Sequence, residues 1–437
     1  MAARIAAVED RVHSYITLDL DGARAAAHVA ETEIAAGRGR GPLHGIPFAV
    51  KDNYDAAGLP TTGGSRLLQG NVPGRDATLV ARLKAAGAVL MGKLSTWEYG
   101  TGNGGEYFDL PYPPARNPWD PERFPGGSST GAGTAVAAGT ATVALGSDTT
   151  GSVRLPAAAT GTVGLKSTQG LLPKTGILAN CYAMDVPGPI TWTVEDCALL
   201  MDVLAGRDPA DPTSLAAPGA DHRRGLRAGI AGLRIGVIAD LGPGIPAPDA
   251  DLVAAFEAGL AVLRDLGAVL VEASFPAPVA DFYACTRVIG PVESATIHER
   301  ELVETPGAMG FALRDKLMFG TMVRAVDYIA AQRRRRALAA AMDALMSRFD
   351  AVVTFGACHV APRLGVEPEM TAFTTDTALV PFNISGHPCL VQCTGYGTSG
   401  LPLHWQIAGP FLAEPTILRV AAAYEAATPW RDRRPEP

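Results

Sequence analysis

Three short segments of the chain carry the residues best suited to chemistry. Ser128 and Ser129 sit in "FPGGSSTGAGTAVAAG", residues 124–139. Ser152 follows a turn of glycine and threonine in "GSDTTGSVRLPAAATG". Lys51 ends the apolar run Ile46–Val50 in "GPLHGIPFAVKDN". A serine hydroxyl is a poor nucleophile until a base takes its proton. A lysine is such a base only when neutral, and desolvation at the end of a buried strand favours the neutral amine. Taken singly, each residue has a plainer reading: a solvated lysine at a strand end, a Gly-Ser loop, a serine in a turn.

Other motifs do not survive their structural requirements. Gly127–Gly131 formally matches G-x-S-x-G with Ser129 as nucleophile, but that elbow needs a strand before it. Here the preceding "NPWDPERFPGG" is rich in proline and charge. "GLKST" at 164–168 lacks the glycine-rich lead of a P-loop. His298–Glu299 has no second histidine at metalloprotease spacing, and Cys389 and Cys393 have no second pair for zinc. The chain is expected to need no metal and no cofactor.

Around these segments the sequence alternates strand and helix. Residues 16–38 read as a helix, 46–50 as a buried strand, 76–87 as a helix and 88–91 as a strand. Residues 101–127 read as loop, 131–140 as a helix and 142–145 as a strand. A strand–helix–strand unit follows from "LRIGVIAD" to "AVLVEASFP". Residues 281–346 read as mostly helical, with the arginines 333–336 on a solvated face. Strands at "FDAVVTF", "PCLVQCTG" and "LHWQIAG" and a helix over 414–427 complete the chain. This texture predicts an α/β protein. The expected fold is a single large domain with a central, mixed, mostly parallel twisted sheet covered by helices on both faces. The Pro/Gly-rich stretch 206–231 keeps the same texture on either side, so no boundary is placed there.

In this order and spacing, "GPLHGIPFAVKDN", "NPWDPERFPGGSSTGAG" and "LGSDTTGSVRLPAAATGTVGLKST" resemble the amidase signature family. "DATLVARLKAAGAVLMGK" and "GPITWTVEDCALLMDVLAG" extend the likeness, dense over 40–206 and looser beyond. The resemblance implies an amidase domain over residues 1–437, with the catalytic core at 40–206 and a helical, substrate-selecting cap at 281–346. It implies a Ser-cisSer-Lys triad: Lys51 the base, Ser128 the bridging serine in cis linkage to Gly127, Ser152 the nucleophile. Backbone N–H groups of Thr149, Thr150, Gly151 and Ser152 would stabilise the oxyanion, and Asp148 and Arg154 would brace the loop. Thr150–Gly151 and Thr130–Gly131 stand where the family commonly has glycine pairs.

The implied reaction is hydrolysis of a carboxylic amide, or a related carbamate, urea or ester, through a serine acyl-enzyme. The expected partner is a small-molecule amide. Residues 99–103, including Tyr99, Gly100 and Thr101, are expected to wall the pocket. Cys358 and His359 are expected substrate contacts, and Phe282, Tyr283, Met318, Phe319 and Met322 are candidates for an apolar acyl or aryl pocket. Two other readings stay open. One is the glutaminase (A-type) subunit of a tRNA-dependent amidotransferase, for which the chain reads as short. The other is a non-catalytic binding protein keeping the fold.

Composition bounds the setting. The chain has 437 residues and a net charge of −7, which argues against nucleic acid or an anionic membrane as partner. No stretch reaches the length and apolarity of a membrane span, and "MAARIAAVED" has no secretory h-region. Six scattered cysteines suit reduced thiols. The expected setting is cytoplasmic, as a monomer or homodimer.

Overall fold

The structure, a computed structural model, describes residues 1–102, 109–217 and 221–437. Its strands are β1 Tyr15–Leu18, β2 Pro47–Lys51, β3 Val89–Leu94, β4 Val143–Asp148, β5 Val163–Lys166, β6 Val186–Thr191, β7 Arg234–Ile238, β8 Val269–Glu272, β9 Ala351–Thr354, β10 Cys389–Tyr396 and β11 Pro402–Ala408. Among the described residues they form one eleven-stranded sheet in the order β1-β3-β2-β4-β6-β5-β10-β11-β9-β7-β8. The sheet is mixed, as expected. Its parallel pairings fall in two blocks, β3-β2-β4 and β9-β7-β8. Antiparallel pairings join the blocks and add β1 at one edge. Parallel neighbours need a long crossover, whereas antiparallel ones can follow a short turn. The parallel blocks are where helices such as Thr78–Ala85 and Ala250–Asp265 separate successive strands, while only a short turn separates β10 from β11.

The 16–38 segment divides differently from its sequence reading. Residues Tyr15–Leu18 pair with β3 as an edge strand, and the helix runs Leu20–Ala35. Asp19 caps it, its carboxylate accepting the Gly22 N–H. The β-branched pair Ile16–Thr17 and the cap explain the boundary.

Glycine and alanine build the centre. In the helix Thr130–Ala138 every residue is buried. A side chain at Gly131 would meet the Ser14 carbonyl at 2.2 Å, so only glycine lets this helix approach the chain before β1 so closely. The region expected as a cap forms helices Val279–Ile297, Glu299–Glu304, Phe311–Met322 and Ala325–Met346. Of its arginine run, Arg333, Arg334 and Arg336 are exposed. Arg335 turns inward and donates to the carbonyls of Ala183 and Ile384.

Candidate active site

β2 and β4 run parallel side by side, Val50 opposite Leu145, with β3 on the far side of β2. Their carboxyl ends open on the same edge of the sheet, where open α/β sheets place ligands. Lys51 is the last residue of β2. Its Nζ donates to Ser128 Oγ at 2.7 Å and to Ser147 Oγ at 3.1 Å. Asn53 Nδ2 donates to the same Ser147 oxygen at 3.1 Å. Lys51 and Ser128 are each 1% exposed and Ser152 is 7% exposed. Burial drives the Lys51 amine down to about 7, against the opposing pull of the Asp185 and Asp148 charges. An amine with that value is substantially neutral near pH 7.

The segment bearing Ser128 is stitched to two neighbours. The Trp97 N–H donates to the Ser128 carbonyl at 3.2 Å, and the Ser129 N–H donates to the Ser152 carbonyl at 3.3 Å. The Gly127–Ser128 peptide is cis. A side chain at Gly127 would lie 2.2 Å from the Trp97 ring, so a glycine lets the indole roof this corner. The helix Thr130–Ala138 starts directly after the serines and packs its small residues behind them.

The turn after β4 is organised by Asp148. Its carboxylate accepts the N–H of Gly151 at 2.7 Å and of Val153 at 3.2 Å. Both its oxygens receive Arg154 at 3.0 Å, and Asn383 donates to Oδ1 at 2.8 Å. Asp148 and Arg154 are both fully buried. Burial alone would raise the Asp148 carboxyl, but Arg154, Asn383 and Lys166 outweigh it and hold the group at about 2. The expected bracing pair is therefore a buried ion pair. The N–H of Gly151, expected among the oxyanion donors, is donated to Asp148 in this structure. Among the described residues, no protein group accepts from the N–H groups of Thr149, Thr150 and Ser152.

Ser152, Thr149 and Thr150 open into a cavity of about 290 Å³. Gly100, Thr101, Trp97 and Leu155 line it from the core, and Tyr283, Arg287, Phe311, Asp315 and Lys316 from the helical region. A second cavity of about 330 Å³ shares Gly100, Thr149 and Asn180 with it and reaches Asn53 and Ser147 on the lysine side. Tyr99 lines only this second cavity, its ring edge-on to His298. Position 103 lies outside the described residues.

Several expected pocket residues are elsewhere. Cys358 is buried in the main core, and burial pushes its thiol up to about 12. His359 is held between Asp249 and Asp376, 3.1 Å from each. Neither lines the cavity, because the chain after β9 is tied to the turn before the helix Ala250–Asp265 rather than to the serines. Phe282 is core, whereas Met318, Phe319 and Met322 face solvent. Of the expected apolar pocket only Tyr283 remains, because one helix face cannot serve both core and cavity.

The sequence reading missed Ser147, Asn53, Asn180, Asp185 and Lys316. Asp185 accepts from Thr149 Oγ1 at 2.6 Å and from the N–H groups of Asn180 and Cys181. Asn180 Nδ2 approaches the Gly100 carbonyl and Thr149 Oγ1, each at 3.4 Å. Ser147 and Asn53 carried a signal, a polar residue at the end of each buried strand. Asn180, Asp185 and Lys316 carried none, since they lie far along the chain.

Comparison with known proteins fits this geometry. An amidase family model matches residues 1–418. The chain is 37% identical over 459 residues to the A-type subunit of a glutamyl-tRNA(Gln) amidotransferase from Moorella thermoacetica, covering 99% of this chain and 93% of that protein. Its fold matches a peptide amidase solved with the competitive inhibitor chymostatin at a TM-score of 0.87 and 32% identity, covering 100% of this chain and 94% of the other. It also matches a 6-aminohexanoate cyclic dimer hydrolase solved with substrate at a TM-score of 0.89 and 28% identity, again over 100% and 94%. The chain therefore belongs to the amidase family, enzymes that hydrolyse carbon–nitrogen bonds.

Proposed function

We propose that the chain hydrolyses a small carboxylic amide through an acyl-enzyme on Ser152. The observation that carries this reading is the 2.7 Å contact between Lys51 Nζ and Ser128 Oγ, both buried. Neutral Lys51 accepts the Ser128 proton as Ser128 accepts that of Ser152. The Ser152 oxygen attacks the carbonyl carbon, and the carbonyl π pair moves onto oxygen. The N–H groups of Thr149, Thr150 and Ser152 are the donors proposed to meet that oxyanion, with Gly151 taken out of the set by Asp148. Loss of one such donor typically costs about 100- to 1,000-fold in rate.

As the C–N bond breaks, the proton returns from Lys51 through Ser128 to the leaving nitrogen. Water then cleaves the ester by the same relay, giving acid and free Ser152. Hydrolysis of a simple aryl amide by wild type and Ser152→Ala tests this. A loss of at least about a thousandfold is expected, and equal rates would remove Ser152 from the mechanism.

A second reading, glutaminase component of an amidotransferase, draws support from the names of the curated relatives. Chain length does not argue against it, since the chain covers 93% or more of each of those two proteins. Steady-state hydrolysis of a panel of amides by the isolated chain separates the two. Activity confined to glutamine, and dependent on added partner subunits, favours the glutaminase.

A further inference from the structure

Lys316 is a half-buried titratable group that the proposed proton relay leaves unused. It lies on the helix Phe311–Met322, on the side of the cavity formed by the helical region. Its Nζ donates to Asn180 Oδ1 at 2.5 Å and to Thr101 Oγ1 at 3.2 Å. Both acceptors are neutral, and among the described residues no carboxylate forms an ion pair with this nitrogen. An ammonium has three N–H donors, so one is left over. Burial pulls Lys316 down to about 8 while Cys181 and Asp185 pull the other way, so the group is still mainly cationic at pH 7.

Arg287, on the helix Val279–Ile297, lines the same cavity and makes no hydrogen bond or ion pair with the described residues. Asp315 is the acidic residue of the lining. Among the described residues the lining holds two cations against one carboxylate, with Asp185 acting on Lys316 from beside the cavity. The half-buried Lys316 ammonium, held only by neutral acceptors, and the exposed, unpaired Arg287 guanidinium are free to meet an anionic ligand.

Resting on the amidase reading of this cavity, we propose that Lys316 and Arg287 form an anion subsite, so that the substrate is an amide whose acyl portion carries a carboxylate. The carboxylate accepts the spare Lys316 N–H and the guanidinium of Arg287, while the amide carbonyl faces Ser152. The subsite borders the catalytic turn directly. Asn180, which receives Lys316, also reaches Thr149 and the Gly100 carbonyl. A side chain added at Gly100 would lie 3.2 Å from Ser128 Oγ. A neutral amide fills the cavity without using the two cations, and an amine-bearing amide meets their repulsion.

The test is calorimetric binding to the full-length Ser152→Ala protein, using glutaramate against pentanamide and terephthalamate against p-toluamide. In each pair the carboxylated amide is expected to bind at least about tenfold more tightly than its neutral partner, as a charge-assisted hydrogen bond implies. Lys316→Met should bring that ratio to about one, Lys316→Arg should keep most of it, and Arg287→Gln should reduce it. Arg287 makes no hydrogen bond or ion pair with the described residues, so Arg287→Gln keeps the test available if Lys316→Met does not fold. Equal affinities within both pairs, including no detectable binding of either member, overturn the proposal. So does a preference that survives both Lys316→Met and Arg287→Gln. Failure of the amidase reading shows separately, as turnover of these amides by Ser152→Ala at the wild-type rate.

Discussion

Asp185 accepts a 2.6 Å hydrogen bond from the Thr149 hydroxyl and, on its other oxygen, the N–H groups of Asn180 and Cys181 at 2.7 and 2.9 Å. One carboxylate thus ties the turn that carries the proposed oxyanion donors to the segment that receives Lys316. Its charge also acts on Lys51, where it favours the ammonium.

Asp185→Asn is expected to move the acid limb of the pH–rate profile to lower pH. Removing the negative charge lowers the Lys51 value further, so the neutral base persists into more acidic solution. A kcat/KM profile of the variant beside wild type checks this, and an unmoved limb would separate Asp185 from the base.

With Lys51 as proposed base, wild-type kcat/KM should rise with pH through about 7 and level off above it, because only the neutral amine accepts a proton. Lys51→Met should lose roughly 100- to 10,000-fold in kcat and abolish the limb. Circular dichroism would confirm that the variant is folded.

The Asp148–Arg154 pair should matter for stability before chemistry. Arg154→Met leaves a buried carboxylate uncompensated and is expected to cost about 3–5 kcal/mol in urea unfolding. The Asp148 carboxyl is depressed to about 2 from an ordinary value near 3.8. The protonated side chain fits the site less well than the carboxylate. The contribution is therefore fully present above about pH 4 and lost as pH falls towards 2. An acid-unfolding midpoint shifted upward in Asn383→Ala, which removes one donor to Asp148, would support this origin.

Gly100 has a positive φ of 72°, and an added methyl would sit 3.2 Å from Ser128 Oγ and 3.8 Å from Lys51 Nζ. Gly100→Ala is expected to lower kcat by about 100-fold through displaced catalytic groups. The left-handed backbone should cost only about 1–2 kcal/mol. Parallel kinetics and thermal unfolding distinguish the two effects.

His359 lies between Asp249 and Asp376 and outside the cavity. His359→Gln should lower Tm while leaving KM within about twofold, since substitutions away from a binding surface act through stability. A large rise in KM would return His359 to the pocket.

Residue order was enough to mark Lys51, Ser128 and Ser152 as candidates, through three motifs taken together and their resemblance to the amidase signature family, and to give the strand–helix texture that carries them. Those signals are local: an apolar run ending in lysine, serines flanked by residues small enough to bury, and alternation with period 2 or 3.6. It was not enough to show that residues 15–18 leave the helix for the sheet edge, because a four-residue strand is specified by its partner β3. Nor did it reveal which side chains wall the cavity. Asn180, Asp185 and Lys316 join the catalytic turn across separations of 31, 36 and more than 100 residues. Only the packing of the helical region against the segments of Thr101 and Asn180 places Lys316 in the cavity of the serine turn while Cys358 is sealed in the core. A hydrogen bond across such a gap depends on where two surfaces meet, and no window of sequence contains both.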